Sequence, residues 1–209
     1  MSLKVVSVYG ATGQQGLSVV KSLLDNYKVR ALTRSPEKLK ELSHPNLTII
    51  QVDIDDRATL TAAFQGSWAV FANTFSDYAK PAGSETALGN RIVDAAVEAG
   101  AEWFIWSGSP EGVPVRAWSE KAATMQYARE VAKKTGLKNV FVQVRPGHLY
   151  QSDVSCDADN VCLAQVGGYM SNFSFIKPEF NPEDGFVEFK YVEVDEKTYC
   201  ASLFFVMSP

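Results

Sequence analysis

Six short β-rich runs alternate with segments of helical character, and this alternation restricts the possible folds more than any other feature of the chain. The runs are KVVSVY, KVRALT, LTIIQV, WAVFAN, WFIWSG and NVFVQV. Strands that alternate with helices are typical of a parallel sheet with helices packed on both faces. Several runs are almost wholly apolar, as expected of strands covered on both sides. The sequence therefore predicts an α/β fold with a doubly wound parallel sheet.

Periodicity and capping residues predict where the helices lie. The segment QQGLSVVKSLLDN places Leu17, Val20 and Leu24 on one helical face. A second helix is predicted to begin at Ser35, an N-cap residue that precedes a proline. A third, GNRIVDAAVEAG, is predicted to end at Gly100.

Three glycines follow the first strand at intervals of three residues, in the stretch GATGQQG. Gly10, Gly13 and Gly16 would permit a tight turn, and the helix that follows would direct its N-terminal N–H groups at an anion. Such a turn between the first strand and the first helix of an α/β fold is typical of a dinucleotide site, although three glycines can also form a simple tight turn. The predicted cofactor contacts in this loop are Gly10, Thr12, Gly13, Gln14, Gln15 and Gly16.

Composition narrows the functional classes. The 209 residues are 46% hydrophobic and 21% charged, which suits one globular unit. A net charge of −4, with no cluster of Lys and Arg, gives no reason to expect direct binding to nucleic acid. No apolar run is long enough to span a membrane, and no secretory signal is apparent. We expect a soluble intracellular protein of the cytoplasm, or also of the nucleus, with free thiols at Cys156, Cys162 and Cys200 and no metal site.

Four motifs in this order resemble the NmrA-like family, an atypical branch of the short-chain dehydrogenase/reductase superfamily. They are GATGQQG, VRALTRSPEK, VDIDD and FIWSGSPEG, and the resemblance covers residues 3 to 145. The family includes fungal regulators of nitrogen metabolite repression and a human NADPH sensor. The resemblance implies a Rossmann fold that binds NAD(P).

The end of the second predicted strand indicates which of the two cofactors binds. Sites that prefer NAD place an Asp or Glu there, on the adenosine ribose. This chain has Thr33 and Arg34, with Lys38 one helical turn later. A guanidinium can pair with the 2′-phosphate of NADP, although Arg34 could also be an ordinary surface charge. We predict NADP(H), bound in part by Thr33, Arg34 and Lys38.

Two further strand ends supply candidate contacts. The family resemblance implies that Asp53 and Ile54 touch the adenine ring, whereas Asp55 or Asp56 could simply cap the next helix. Asn73 and Thr74 end the fourth strand at the carboxyl edge of the sheet, where α/β folds bind ligands, and could equally form a plain turn.

The candidate catalytic residues are Ser107 and Lys121. Ser107 follows the fifth strand, where the superfamily carries a catalytic serine, and Lys121 resembles the lysine that reaches the nicotinamide ribose. The alternatives are an ordinary loop serine and a solvent-facing helix lysine. The superfamily's tyrosine four residues before the lysine is missing: Ala117 stands there, and Tyr127 lies on another helical face.

The sequence departs from the family beyond residue 145. We predict an NAD(P)-binding domain over residues 1–146 and an incomplete, irregular C-terminal segment over 147–209. Removal of residues 145–166 would join NVFVQV directly to GGYMSNF, which resembles the continuation of the family more closely. This segment is therefore predicted to be an insertion, such as a retained intron, followed by a frameshifted end.

Two functions follow from the resemblance and the residues. The first is an NADP(H) sensor that regulates a protein partner such as a transcription factor. The second is an NADPH-dependent oxidoreductase that acts on a small carbonyl or quinone. The missing tyrosine favours the first, and the serine and lysine keep the second open. The oligomeric state is left open.

Overall fold

A computed structural model of the chain describes residues 2–109 and 111–145, and beyond them five strand segments. Its strands are β1 Val5–Tyr9, β2 Lys28–Thr33, β3 Leu47–Gln51, β4 Ala69–Ala72, β5 Trp103–Gly108, β6 Lys138–Arg145, β7 Val154–Cys156, β8 Val161–Gly167, β9 Ile176–Asn181, β10 Phe186–Tyr191 and β11 Leu203–Val206. Its α-helices are α1 Gln14–Leu23, α2 Arg57–Phe64, α3 Ser84–Glu98 and α4 Arg116–Thr135. Side chains are described up to residue 139, except for residues 1 and 110.

Strands β1 to β6 form a parallel sheet in the order β3-β2-β1-β4-β5-β6. The order reverses at β1, so β2 and β4 flank it on opposite sides. In open α/β sheets, ligands bind beyond the carboxyl ends of the strands at such a reversal. The prediction of a doubly wound parallel sheet is confirmed.

Both faces of the sheet are buried, in two separate apolar clusters. Along β5, Trp103 and Ile105 join the cluster that contains α1, while Phe104 and Trp106 join the cluster formed with α2, α3 and α4. Successive side chains of a strand point to opposite faces, so strands that are apolar throughout fill both clusters.

The sequence is less informative between the strands. The predicted helix at Ser35 is a single 3-10 turn, Pro36–Leu39, and the side chain of Ser35 forms no capping bond. The third predicted helix begins earlier than expected, at Ser84, and Gly100 follows it with a positive φ of 72°. A serine before a proline marks where a helix begins but not how long it runs, since a 3-10 turn can begin in the same way.

Two further strands extend the sheet beyond β6. β8 pairs with β6 in parallel, and β7 pairs with β8 in antiparallel orientation. Strands β9, β10 and β11 form a separate antiparallel sheet. Most of the predicted insertion at 145–166, the domain boundary after residue 146 and most of the predicted frameshifted end lie outside the described residues, so these remain predictions.

Candidate functional site

The glycine loop after β1 is shaped by two of its three glycines. Gly10 has a φ of +81°, and a Cβ added there would lie 2.5 Å from the carbonyl oxygen of Asn73. A Cβ on Gly16 would lie 2.2 Å from the carbonyl oxygen of Gly10. The fold itself therefore requires glycine at both positions, because any side chain would collide with backbone.

Gly13 differs from its two neighbours in the motif. Its φ is −76°, and an added Cβ would meet only the carbonyl oxygen of Gly10, at 3.4 Å. Gly13 forms the N-cap of α1 without a side-chain capping bond, and it lines a cleft. Packing does not require glycine here, so the open space in front of Gly13 suits a ligand that approaches the backbone.

The cleft lies at the carboxyl edge of the sheet and has a volume of about 790 Å³. Eleven of the predicted site residues line it, namely Gly10, Thr12, Gly13, Gln14, Gln15, Thr33, Arg34, Lys38, Ile54, Asn73 and Thr74. Gly16, Asp53, Ser107 and Lys121 are not among the lining residues. This volume falls in the range of small-molecule and cofactor sites.

Residues Thr33, Arg34, Ser35 and Lys38 form what we term the basic end of the cleft, beyond β2. Arg34 and Lys38 are exposed, and within the described residues no hydrogen bond or ion pair joins either side chain to the protein. Thr33 is buried, and its Oγ1 accepts a hydrogen bond from the Ser35 backbone N–H at 3.0 Å. Two cations at this end are thus available to an anion.

The loop after β3 has mixed roles. Asp56 is the N-cap of α2 and accepts a hydrogen bond from the Ala58 N–H, so the capping alternative is confirmed for Asp56. Asp53 is exposed and accepts from the Asp55 N–H within a turn. Ile54 lines the cleft, and Arg91 of α3 holds its carbonyl oxygen with a 2.6 Å hydrogen bond.

Five residues beyond β4 form what we term the buried network: Asn73, Thr74, Ser76, Glu85 and Lys121. The Lys121 ammonium lies 3.0 Å from Glu85 Oε1 and donates to Thr74 O at 2.7 Å. Lys121 is only 8% exposed, and burial lowers its pKa, while the Glu85 carboxylate opposes that shift. Lys121 is therefore not a solvent-facing helix lysine.

Ser107 lies within β5, not after it as predicted, and is buried beside the glycine loop. It is 1% exposed, and its hydroxyl donates to Gln15 Oε1 at 2.8 Å. Gln15 itself lines the cleft, whereas Ser107 is not among the lining residues. In this arrangement the Ser107 proton is already engaged.

Tyr127 lies on a different side of α4 from Lys121. Its hydroxyl donates to Asp94 Oδ1 at 2.7 Å, and this bond raises the pKa of Tyr127. Tyr127, Asp94 and Arg57 line a separate cavity of about 330 Å³ at the surface of α2, α3 and α4. The tyrosine is thus absent from the lining of the larger cleft, as its helical phase predicts.

Sequence reasoning missed a large part of the cleft wall. Glu85, Leu88 and Arg91 come from α3, and Phe75 and Lys80 from the loop before it. Further missed residues are Tyr9, Leu32, Ser35, Val52, Asp55, Asp77, Ser84 and Ala87. The rule that ligands bind after the strands could have found Phe75 and Asp55, whereas the α3 residues depend on how that helix packs.

The described part of the chain contains no helix with the length and apolar character needed to cross a membrane.

Known proteins are similar to this chain in sequence and in fold. The model of the NmrA-like family matches residues 2–158. The chain belongs to the NmrA-like family. Similar curated proteins include the NmrA-like family domain-containing oxidoreductase ptmS of Penicillium ochrochloron, 39% identical over 71% of this chain and 48% of ptmS. Another is FrzB of Cladobotryum sp, with the same description, 32% identical over 89% of this chain and 55% of FrzB.

Solved structures of NmrA, described as a negative transcriptional regulator, are also similar. One is 30% identical and covers 68% of this chain and 46% of NmrA, with a TM-score of 0.59. Others, 28% identical with TM-scores of 0.58 over 69% of this chain and 46% of NmrA, are complexes with NAD and with NADP. The chain spans about half the length of the curated relatives that it matches.

Proposed function

We propose that this NmrA-like chain binds NADP(H) in the cleft at the carboxyl edge of its sheet. The observation that carries the proposal is the basic end, where Arg34 is exposed and without a partner among the described residues. An acid at this position would bind the ribose hydroxyls of NAD and repel a 2′-phosphate. A guanidinium can instead pair with that phosphate through two hydrogen bonds.

The glycine loop supports the same ligand. The space at the Cβ position of Gly13 is open, although the Gly13 N–H itself donates to Gly10 O at 3.0 Å, and α1 begins there with its partial positive charge. Gly10, Gly13 and Gln14 would hold the pyrophosphate, with the adenosine half at the basic end and the nicotinamide half towards Asn73 and Thr74. Complexes of NmrA with NAD and with NADP support a dinucleotide at this cleft.

For the biological role we propose a cofactor sensor whose occupancy is communicated to a protein partner such as a transcription regulator. Bound NADPH would supply a hydride, and reduction of a carbonyl then needs a proton donor. Ser107 and Lys121 both direct their protons to protein oxygens, and Tyr127 lies at another cavity. NmrA, described as a negative transcriptional regulator, is consistent with this role.

The second candidate is an NADPH-dependent oxidoreductase of a small carbonyl or quinone. The observation that favours it is that ptmS, FrzB and several other similar fungal proteins carry the description of oxidoreductase. In that case a shift of Gln15 or Glu85 would have to release Ser107 or Lys121 towards the substrate.

Titration of the purified chain with NADPH and with NADH, followed by calorimetry, tests the proposed ligand. We expect NADPH to bind at least about tenfold more tightly, the effect of one charge-assisted phosphate contact. Equal affinities would contradict the choice of NADP(H), and no binding of either nucleotide would contradict the site.

A further inference from the structure

Lys121 lies behind the wall of the cleft, and protein oxygens take up all of its hydrogen-bond donors. An ammonium carries three N–H groups. Its Nζ lies 3.1 Å from Asn73 Oδ1, 2.7 Å from Thr74 O and 3.0 Å from Glu85 Oε1. While Glu85 keeps this position, Lys121 has no donor left for a ligand.

Glu85 is the centre of this network. Its side chain is 2% exposed, and Oε1 accepts from Thr74 Oγ1 at 2.5 Å as well as from Lys121. Oε2 accepts from the Ser76 hydroxyl. A carboxylate that is buried so deeply is stable only with such partners, so its contacts fix the loop that follows β4.

The first turns of α4 hold the same loop from a second side. Glu120 accepts a hydrogen bond from the Glu85 backbone N–H at 2.8 Å, which satisfies the start of α3. Arg116 pairs with Glu120 at 2.6 Å and donates to the carbonyl oxygens of Lys80 at 2.9 Å and Pro81 at 2.7 Å.

The loop needs such support because it has little regular structure of its own. Residues 73–83 contain turns but no helix or strand. Phe75 lines the cleft while 84% exposed, so apolar burial does not anchor its ring. Side-chain bonds to the loop therefore decide its shape.

We propose that Glu85 is a positioning residue for the nicotinamide half of the cofactor. It holds Lys121 behind the cleft wall, and the pair fixes the orientation of Asn73 and Thr74, which face the ligand. The inference rests on the proposed NADP(H) site and deepens it. In this chain Lys121 acts on the protein wall, which differs from the direct ribose contact that the family resemblance implies.

The test compares a whole ligand with a fragment. NADPH extends along the entire cleft, whereas 2′,5′-ADP contains only the adenosine half and stops short of the network. Glu85→Gln should weaken binding of NADPH roughly tenfold, within the usual coupling of contacting residues. Binding of 2′,5′-ADP should change less than about twofold, since well-separated sites act independently.

Asp94→Asn is the matched control. It removes one carboxylate from the same helix, at the Tyr127 and Arg57 side and away from the cleft. Its NADPH affinity should remain that of the wild type. The proposal is overturned if Glu85→Gln keeps full NADPH affinity, if it weakens both ligands equally, or if Asp94→Asn weakens NADPH as much.

Acetylation of amines by acetic anhydride, mapped by mass spectrometry, measures how accessible the Lys121 amine is. The measurement needs no cofactor. Lys121 should resist acetylation in the wild type and in Asp94→Asn, and should react in Glu85→Gln. If the wild type binds neither ligand, the proposed function fails, and the acetylation pattern alone decides whether Glu85 holds Lys121. Continued protection in folded Glu85→Gln would overturn that role.

Ser76→Ala provides the test if Glu85→Gln does not fold. It removes a single hydroxyl from the Glu85 carboxylate and leaves the ion pair in place. Binding of NADPH should weaken roughly twofold to threefold, the range of one neutral hydrogen bond, and binding of 2′,5′-ADP should again change little. Unchanged NADPH binding in this folded variant would overturn the proposal.

Discussion

The two sides of the cleft hold positive charge in opposite ways. At the basic end, Arg34 is exposed and unpaired within the described residues, whereas Lys121 in the buried network is enclosed by Glu85 and Thr74. An exposed guanidinium loses little by exchanging water for a phosphate. A buried ammonium that gave up its partners would leave an uncompensated carboxylate behind. This difference supports the proposal that Arg34 contacts the ligand, whereas Lys121 is bound to protein oxygens.

The largest effect is expected at the loop between the two ends. If both ends belong to one dinucleotide site, Gly13→Val should abolish binding of NADPH and NADH, because the branched side chain would occupy the approach to the backbone. The fold should persist, since an added Cβ at Gly13 meets only Gly10 O at 3.4 Å. Calorimetric titration and circular dichroism measure the two outcomes.

Gly16→Ala supplies the contrast, because its Cβ would lie 2.2 Å from Gly10 O and should destabilise the fold itself. Ala62→Val is a control that also introduces a valine, at an exposed position on α2. It should change neither the nucleotide affinity nor the fold. Full affinity in Gly13→Val would place the ligand outside this loop.

The next largest effect concerns turnover, which tests whether Ser107 and Lys121 can give a proton to a substrate. NADPH oxidation with a panel of carbonyls and quinones should stay below the ordinary enzyme range of about 1–10³ s⁻¹. A positioned acid typically contributes about 10²–10⁴-fold, and both Ser107 and Lys121 are engaged by protein oxygens.

Turnover within that range would favour the oxidoreductase over the sensor. Ser107→Ala and Lys121→Ala would then be expected to lower kcat. Tyr127→Phe should leave it unchanged, because that hydroxyl bonds to Asp94 at the other cavity.

Arg34→Ala should have an intermediate effect that is confined to the basic end. A hydrogen bond to a charged group is worth about 1.5–3 kcal/mol, so NADPH affinity should fall roughly tenfold or more. NADH affinity should change little, since NADH has no 2′-phosphate. Titration of both nucleotides into Arg34→Ala measures this difference. Arg30→Ala is the control, because Arg30 instead donates to the carbonyl oxygens of Ala63 and Gln65. A parallel loss for both nucleotides in Arg34→Ala would contradict the phosphate contact.

The smallest effect is expected at Asp56, outside both ends. A hydrogen bond from Thr59 and one from the Ala58 N–H lower its pKa below the ordinary 3.8. The charged Asp56 therefore stabilises the fold at pH values above its ordinary pKa. This stabilisation is lost as the pH falls through the lowered pKa of the folded state. Asp56→Ala should therefore unfold at lower urea than the wild type near neutral pH, and the two should converge in acid.

NADPH affinity should be unchanged in Asp56→Ala. Asp25→Ala, at an exposed aspartate without an assigned bond in the described residues, serves as the control and should unfold like the wild type at every pH. A constant difference between Asp56→Ala and the wild type across the pH range would contradict the capping role of the charge.

The sequence by itself determined the sheet. KVRALT and WFIWSG coincide with β2 and β5, because strands buried on both faces appear as short apolar runs between turn and capping residues. The ends of the strands were equally predictable from the sequence. Arg34, Ile54, Asn73 and Thr74, which were predicted from those ends, all line the cleft.

The tertiary structure decided what each group at those ends can do. Only packing reveals that Gly10 needs a positive φ and that Gly13 does not. Likewise, the sequence predicts Lys121 either as a contact of the nicotinamide ribose or as a solvent-facing lysine, and only the fold shows that α3 brings the Glu85 carboxylate to within 3.0 Å of its Nζ. Local patterns record neighbours along the chain, whereas the burial and pairing of a charge depend on residues that only the folded chain brings together.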